Sequence, residues 1–464
     1  MSARKDPTWD LEHFRLKSLD LGQLTGAAMA MHAMPDAFLL KHTGVGCKHK
    51  TVTQFGTHDW GRGVAAHEGW TEVGDAALIR GSGERVGPYA RSAFQRHTPG
   101  LMGVVSVTFL DLTGDDLKDR VEALDQELDC DVIHLRVPGF EGDLFSGYLT
   151  CVVEVARRFD WSKPPDQPAE VCLLGYLWDR YEGDHQGNQL QIKGMLQGIG
   201  LSLGPVLFSG VAYTELKAAP RAGTLIALPY AAPKHKALQR ITRRTVGAAE
   251  LPIGLRGSTA FLRAVGRAAG VADGRITAFT QRQEQQIRER MGTMVDRLRG
   301  LRVAVFADLP LLVGVVSLLD ELGMSVVIAG IRGRTLGGRA ALAAALERLG
   351  AAIPEGCEVL EDPSLAAVRE AVGSRLRSRA LDGVLGSATD HNVISTIPAS
   401  DLLAPYAGEQ LHAAGPFRLE IGFPCKEHHC AFPMPFMGYG GVLMWLQRLL
   451  SAPRTWDAGR STRV

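Results

Sequence analysis

The sequence predicts an α/β protein of three consecutive units, each a mostly parallel sheet flanked by helices. Short apolar strands alternate with amphipathic helices along most of the 464 residues, and that alternation builds parallel sheets covered by helices. The chain is too long for a single hydrophobic core. A proline-rich break, SKPPDQPA at 162–169, and a long polar helix running to Gly300 divide the pattern. The units are therefore placed at 1–165, 166–299 and 300–464.

In the first unit, GLMGVVSVTFLDL from Gly100 reads as a buried strand. The helix DDLKDRVEALDQELD follows, with Leu117, Val121 and Leu124 on one face. CDVIHLRVPGF is the next strand and SGYLTCVVEVARRF the next helix. The second unit begins with the strand EVCLLGYL. It continues through a polar turn WDRYEGDHQGN, the helix QLQIKGMLQGIGL, the strand GTLIALPY and a basic helix KHKALQRITRR. The polar helix TAFTQRQEQQIRERMGTMVDRL closes it. The third unit opens with the strand LRVAVFADL, the helix LLVGVVSLLDELG and the strand MSVVIAGI.

Composition narrows the function. Apolar residues make up 45% and charged residues 22%, with a formal net charge of +1, so nucleic-acid and membrane-surface binding are not expected. MSARKDPTWDLEHFR lacks the apolar core of a signal peptide. The run LPLLVGVVSLL from Leu309 is too short to span a bilayer, and a cytoplasmic location is expected. The turns carry neither G-x-G-x-x-G nor a P-loop, so the chain is not expected to hydrolyse ATP.

The seven cysteines are Cys47, Cys130, Cys151, Cys172, Cys357, Cys425 and Cys430, an odd number that argues against a disulfide framework. Cys130, Cys151 and Cys172 lie in apolar strand or helix contexts and read as core thiols. Cys47 differs, because HTGVGCKHK places it in a turn after Gly44 and Gly46 and before Lys48 and Lys50. That thiol is presented rather than packed, and the lysines favour its thiolate. CKEHHC, from Cys425 through His428 and His429 to Cys430, has the short spacing of a metal site. Structural, interface and pocket-lining roles are the alternatives. Lys234, Lys236, Arg240, Arg243 and Arg244 form either a solvated helix face or a steering patch. Asp179, Glu182 and Asp184 are weighed as an ion site, and Asp115 and Asp116 as helix caps.

Several segments, in order, resemble the beta-type subunits of the nitrogenase component 1 family. GVGCKH resembles its cluster-holding turn, and VTFLDLTGDDL the strand and turn that follow. VPGFEGDLFSGY, ELPIGLRGSTAFL, FADLPLLVGVVSLLDELG, DGVLGSA and RLEIGFPCKEHHCAFPMPFMGYGGVL continue the match over roughly residues 20–450. The resemblance implies three Rossmann-like domains and an α2β2 heterotetramer with a homologous alpha-type subunit. It also implies an ATP-dependent iron–sulfur reductase as electron donor. It makes Cys47 a ligand of an iron–sulfur cluster shared across the interface, with Gly44 and Gly46 in the cluster loop. It places His428 and His429 at the interface or the pocket facing the partner.

The departures carry information too. Thr108 stands where the nitrogenase beta chain carries cysteine, and LGQLTGA lacks the upstream one. One remaining thiolate favours a four-iron over an eight-iron cluster, completed by ligands from the partner. No cysteine near LPYAAPKHK matches the alpha-type cofactor ligand, so any larger metal cluster belongs to the partner, and ATP only to the reductase. The implied role is an oxidoreductase subunit active only with its partners. Methylthio-alkane reductase-like carbon–sulfur cleavage is the substrate lead. The alternatives are a cofactor-assembly scaffold and a tetrapyrrole (chlorophyllide-type) reductase.

Overall fold

A computed structural model describes residues 21–44, 51, 55, 67–74, 81–106, 116–138, 141–179, 182–397, 416–426 and 428–461. Cys47, Gly46, Lys48, Lys50, Thr108 and Asp115 lie outside the described residues.

Three parallel sheets organise the chain. The first contains β1 (Ala37–His42), β2 (Glu68–Trp70), β3 (Leu101–Ser106) and β4 (Asp131–Arg136), in the order β2-β1-β3-β4. The second repeats that order with β5 (Gln167–Leu174), β6 (Ser202–Val206), β7 (Ala222–Ala227) and β8 (Val246–Ala248) as β6-β5-β7-β8. The third contains β9 (Arg302–Asp308), β10 (Ser325–Arg332), β11 (Glu358–Glu361), β12 (Gly383–Gly386) and β13 (Phe417–Glu420). Its order is β11-β10-β9-β12-β13. Strand order reverses at β1/β3, β5/β7 and β9/β12. Crevices for ligands open at the carboxyl ends of strands at such points.

The buried runs explain the strands. β1, β3 and β12 are buried at every position, as strands covered on both faces must be. The helices that cover the first sheet include α1 (Gln23–His32), α2 (Val86–His97), α3 (Lys118–Glu127) and α4 (Leu144–Arg157). Asp116 Oδ1 accepts the N–H of Lys118 at 2.9 Å, but it does so from one residue before the N-cap, which is Leu117 and carries no side-chain cap. The helix α4 begins with a capping box, Asp143 and Ser146 bonding each other's backbone. Asp143 also accepts the backbone N–H groups of Arg334 and Thr335 at 2.6 and 2.9 Å, which ties α4 to the loop after β10.

Helices α1 and α4 cross with backbones almost touching. A Cβ on Gly26 would lie 1.7 Å from the Leu144 carbonyl oxygen, and one on Gly147 1.9 Å from that of Gln23. Gly147→Ala therefore forces the helices apart and costs about 3 kcal/mol, the upper end of ordinary overpacking. A thermal midpoint indistinguishable from that of the parent chain would contradict this packing.

Among the described residues the longer remaining helices are α5 (Gly183–Gly198), α6 (His235–Thr242), α7 (Gly254–Ala268), α8 (Asp273–Met291), α9 (Leu309–Glu321), α10 (Arg339–Arg348), α11 (Leu365–Arg377), α12 (Ala388–Ser395) and α13 (Gly438–Ser461). Two differ from the sequence reading. WDRYEGDHQGN is not all turn, because α5 starts at Gly183. The basic helix stops at Thr242, where Arg243 takes a left-handed φ of 55°. Arg244 then bonds the carbonyls of Pro220, Ala222 and Gly223 at 3.0, 2.5 and 2.9 Å. Its charge is spent on the backbone at the start of β7 rather than on steering. No helix among the described residues is long and apolar enough to cross a membrane.

Candidate functional site

Two neighbourhoods collect the chemistry. The first is the carboxyl end of β1 and the polar groups packed against it. Strand β1 ends Lys41-His42, and Thr43 and the half-buried Gly44 follow. Lys41 is fully buried, a cost that demands a partner. Its ammonium pairs with the buried Glu68 carboxylate and donates to Thr51 Oγ1 at 2.5 Å. His32 Nε2 sits 2.8 Å from Glu68 Oε1, off the hydrogen-bond line. Burial alone would raise the Glu68 pKa, but the His32 and Lys41 charges hold it below the ordinary value. His42 contacts Thr71 Oγ1 at 2.7 Å and Ser82 Oγ at 3.0 Å. The end of β1 thus stands on a buried polar network under an apolar helix, with the His32 ring nitrogens and Glu68 Oε1 outside its hydrogen bonds. Phe55 stacks edge-on to His32 at 5.0 Å and lies 5.7 Å from the Phe423 ring, which joins this region to the C-terminal block.

The second neighbourhood is a cavity of about 50 Å³ between the second and third sheets. Its polar lining is Asp179, His185, Tyr230, Asp308, Glu420 and Arg448. These come from the carboxyl ends of β5, β7, β9 and β13 and from α5 and α13, where topology places ligand sites. Such a volume takes roughly three or four waters, or one small polar group.

A hydrogen-bond chain leads into this cavity. Asn188 Nδ2 donates to the Tyr176 hydroxyl oxygen at 3.0 Å, and that hydroxyl meets His185 Nδ1 at 2.9 Å. His185 Nε2 lies 2.6 Å from Asp179 Oδ1. A carboxylate oxygen accepts, so the imidazole proton sits on Nε2, facing Asp179, and Nδ1 accepts from the Tyr176 hydroxyl. Opposite, the Tyr230 hydroxyl donates to Asp308 Oδ1 at 2.8 Å. Asp308 also caps α9 by accepting the Leu311 N–H at 3.2 Å. Burial pushes the Asp308 carboxyl up to about 6, against the lowering effect of these hydrogen bonds.

Because the folded pKa of Asp308 exceeds the unfolded value, its stabilising contribution is complete below about pH 4 and is lost as pH rises through about 6. Asp308→Asn keeps the cap and the Tyr230 partner without the charge. Above pH 7 the variant is expected to be more stable by about 3 kcal/mol, with the gap closing toward pH 4. Parallel curves of thermal midpoint against pH would contradict the assignment.

Of the residues picked from sequence, Gly44 lies two residues beyond the end of β1. His428 and His429 are half-buried and exposed respectively, and neither is among the cavity-lining residues. His428 Nε2 lies 3.4 Å from Cys430 Sγ, and His429 Nδ1 lies 2.6 Å from Glu182 Oε1. The two thiols of CKEHHC turn to different partners: Cys425 Sγ donates to Glu420 Oε2 at 3.1 Å and to the His428 carbonyl at 3.4 Å. Asp179, Glu182 and Asp184 do not act together, because Asp179 is held by His185. Sequence reasoning missed Lys41, Glu68 and His32, although a lysine inside AFLLKH was the signal. It also missed Asp308, whose FADLP context marks a helix cap.

Three parallel sheets flanked by helices, with polar groups gathered beyond the carboxyl ends of strands, define an α/β protein of the doubly wound kind. The chain belongs to the nitrogenase component 1 type oxidoreductases, whose family model matches residues 22–453. It is 27% identical over 267 residues to a light-independent protochlorophyllide reductase subunit of Heliobacterium modesticaldum, covering 56% of this chain and 50% of that protein. It is 20% identical over 311 residues to the nitrogenase iron-molybdenum cofactor biosynthesis protein NifE of Clostridium pasteurianum, covering 66% of each. The matches thus span half to about two thirds of the length of these curated relatives. The fold is that of a solved structure described as nitrogenase Cp1 at pH 6.5, with a TM-score of 0.72 and 15% identity over 93% of this chain and 92% of that one.

Proposed function

We propose that the chain is the beta-type subunit of a nitrogenase-like reductase complex. Its units are taken as 1–165, 166–299 and 300–464. In this reading Cys47 gives one thiolate to an iron–sulfur cluster shared with a homologous alpha-type subunit in an α2β2 assembly. Gly44 and Gly46 let the loop approach the cluster. The observation that supports the reading is the end of β1: Lys41, paired with the buried Glu68, lies in β1 beside the β1/β3 reversal, and Gly44 follows the strand by two residues, three before Cys47.

The donor set fits a shared cluster rather than a self-contained one. Burial pushes the Cys151 and Cys172 thiols far up, and Cys130 and Cys357 up to about 11. Those four thiols ionise less readily than an ordinary cysteine. Cys425 and Cys430 are engaged in the C-terminal loop. One thiolate remains, so the other ligands come from the partner. A bound cluster supplies one-electron transfer between an ATP-dependent iron–sulfur reductase and the substrate site.

In this reading the substrate site lies mainly on the alpha-type subunit, with any larger cluster there. Carbon–sulfur cleavage of a methylthio-alkane is the substrate lead. The likeness to a protochlorophyllide reductase component favours tetrapyrrole reduction as a second reading, and the likeness to NifE favours a cofactor-assembly scaffold.

The test is co-expression with the homologous chain and the reductase under anaerobic conditions. ATP-dependent release of a volatile thiol from a methylthio-alkane supports the first reading, and turnover of protochlorophyllide the second. A complex whose cluster the reductase cannot reduce in the presence of ATP would overturn both.

A further inference from the structure

We propose that His32 is a buried proton acceptor, a positioning residue that takes up one proton as the cluster ligated by Cys47 gains one electron. The proposal rests on the reading of Cys47 as a cluster ligand and deepens it.

The first observation is the state of the imidazole. His32 ends α1 and is 6% exposed. Its Nε2 faces Glu68 Oε1 at 2.8 Å, off the hydrogen-bond line, and its Nδ1 is buried without a hydrogen-bond partner. A polar atom left this way in the interior is costly to the fold, and a redox or catalytic role is one reason such an atom persists.

The second observation is the charge count. The Glu68 carboxylate is matched by the buried Lys41 ammonium. With His32 neutral, these three side chains sum to zero. With His32 protonated they carry one positive charge away from water, which is unfavourable until a negative charge arrives nearby. An electron arriving from the reductase is that charge. One electron then enters from the donor and one proton from water, and a small turn of the ring lets Nε2–H donate to Glu68 Oε1.

The third observation is position. Lys41 Nζ donates to Thr51 Oγ1 at 2.5 Å, and the Phe55 ring stands edge-on to His32 at 5.0 Å. Thr51 is four residues beyond Cys47, so at most about 14 Å of chain separates Cys47 from the hydroxyl that Lys41 holds. Charges at such a range still interact in a medium of low effective dielectric. The charged groups facing His32 are Glu68 of β2 and Lys41 of β1. The helix α4, packed along α1, brings Tyr148 and Cys151. The Tyr148 hydroxyl donates to the Tyr176 carbonyl at 2.6 Å and the Cys151 thiol to the Ala27 carbonyl at 3.7 Å. Burial pushes both of their pKa values up, away from the range of an imidazole.

The test is a redox titration followed by EPR, at a series of pH values, on the anaerobically co-purified complex. Because a proton enters with the electron, the midpoint potential should fall as pH rises, by up to about 59 mV per pH unit for one electron, between about pH 6 and 8. In His32→Gln and His32→Leu the slope should vanish while iron per alpha–beta half stays at the parent value. Leucine also removes the unsatisfied nitrogen, so the thermal midpoint of that variant should not drop below the parent's. A wild-type potential that ignores pH, or a slope that persists in either variant, would overturn the proposal and leave the cluster reading standing. Loss of iron in both variants would make His32 structural and overturn it as well. A wild-type complex without cluster iron would overturn the reading and the proposal together.

Discussion

Lys41→Met is expected to lower the local stability of the first sheet by about 3–5 kcal/mol, because it strands the Glu68 carboxylate in the interior. Glu68 is buried, and its low pKa depends on Lys41 and His32 together. Since that folded pKa lies below the unfolded value, the group's contribution is present above the ordinary carboxylate range and is lost as pH falls through the folded pKa. The methionine variant should lose most of this contribution. The double variant Lys41→Met/Glu68→Leu should recover most of the loss, since a well-packed apolar pair can replace a buried ion pair at little cost. Hydrogen exchange of β1 and β3 amides is the suitable readout, because a chain of several domains does not unfold in one step. Exchange rates in the single variant equal to those of the parent would remove the pair from the account. The functional consequence follows from position: β1 leads directly into the Cys47 loop, so a loosened stem should also release cluster iron.

The legible parts of the fold were those written locally. The strand β9, the helix α9 and the strand β10 follow one another as apolar runs, and each stands where the sequence placed it. The start of α5 was not legible, since GDHQGN has turn composition. What fixes it as helix is distant: Asn188 Oδ1 accepts the backbone N–H groups of Phe436 and Met437, both at 2.9 Å and nearly 250 residues away. CKEHHC was legible as a cluster of donors but not as a geometry. Its thiols part company because Glu420 takes Cys425, and Glu182 and Asp184 meet Cys430. The buried Lys41 was visible as an anomaly in an apolar strand. Its partners were not, because Glu68 and His32 belong to other elements.

Cys47→Ala is the variant with the largest expected effect on activity. A thiolate that ligates iron has no substitute in a methyl group. Loss of an outer partner alone costs a metal site about 10–100-fold, so loss of the ligand should depress reductase-dependent turnover by more than about 100-fold. The three sheets should stay folded, because their cores draw on Leu39, Leu173 and Val305. Circular dichroism and thermal midpoint should therefore match the parent. Cys47→Ser should keep part of the iron, since an alkoxide is a poorer but workable ligand.

The central claim is that this chain contributes one thiolate to a cluster completed by another subunit. It is tested most directly by iron and acid-labile sulfide per alpha–beta half, with low-temperature EPR, in the anaerobically co-purified complex and its Cys47→Ala variant. The account predicts that the variant loses about four irons per half together with the corresponding EPR signal. Any iron beyond those four in the parent belongs to the partner and should be unaffected. Equal iron, equal sulfide and an unchanged spectrum in the two preparations would contradict it.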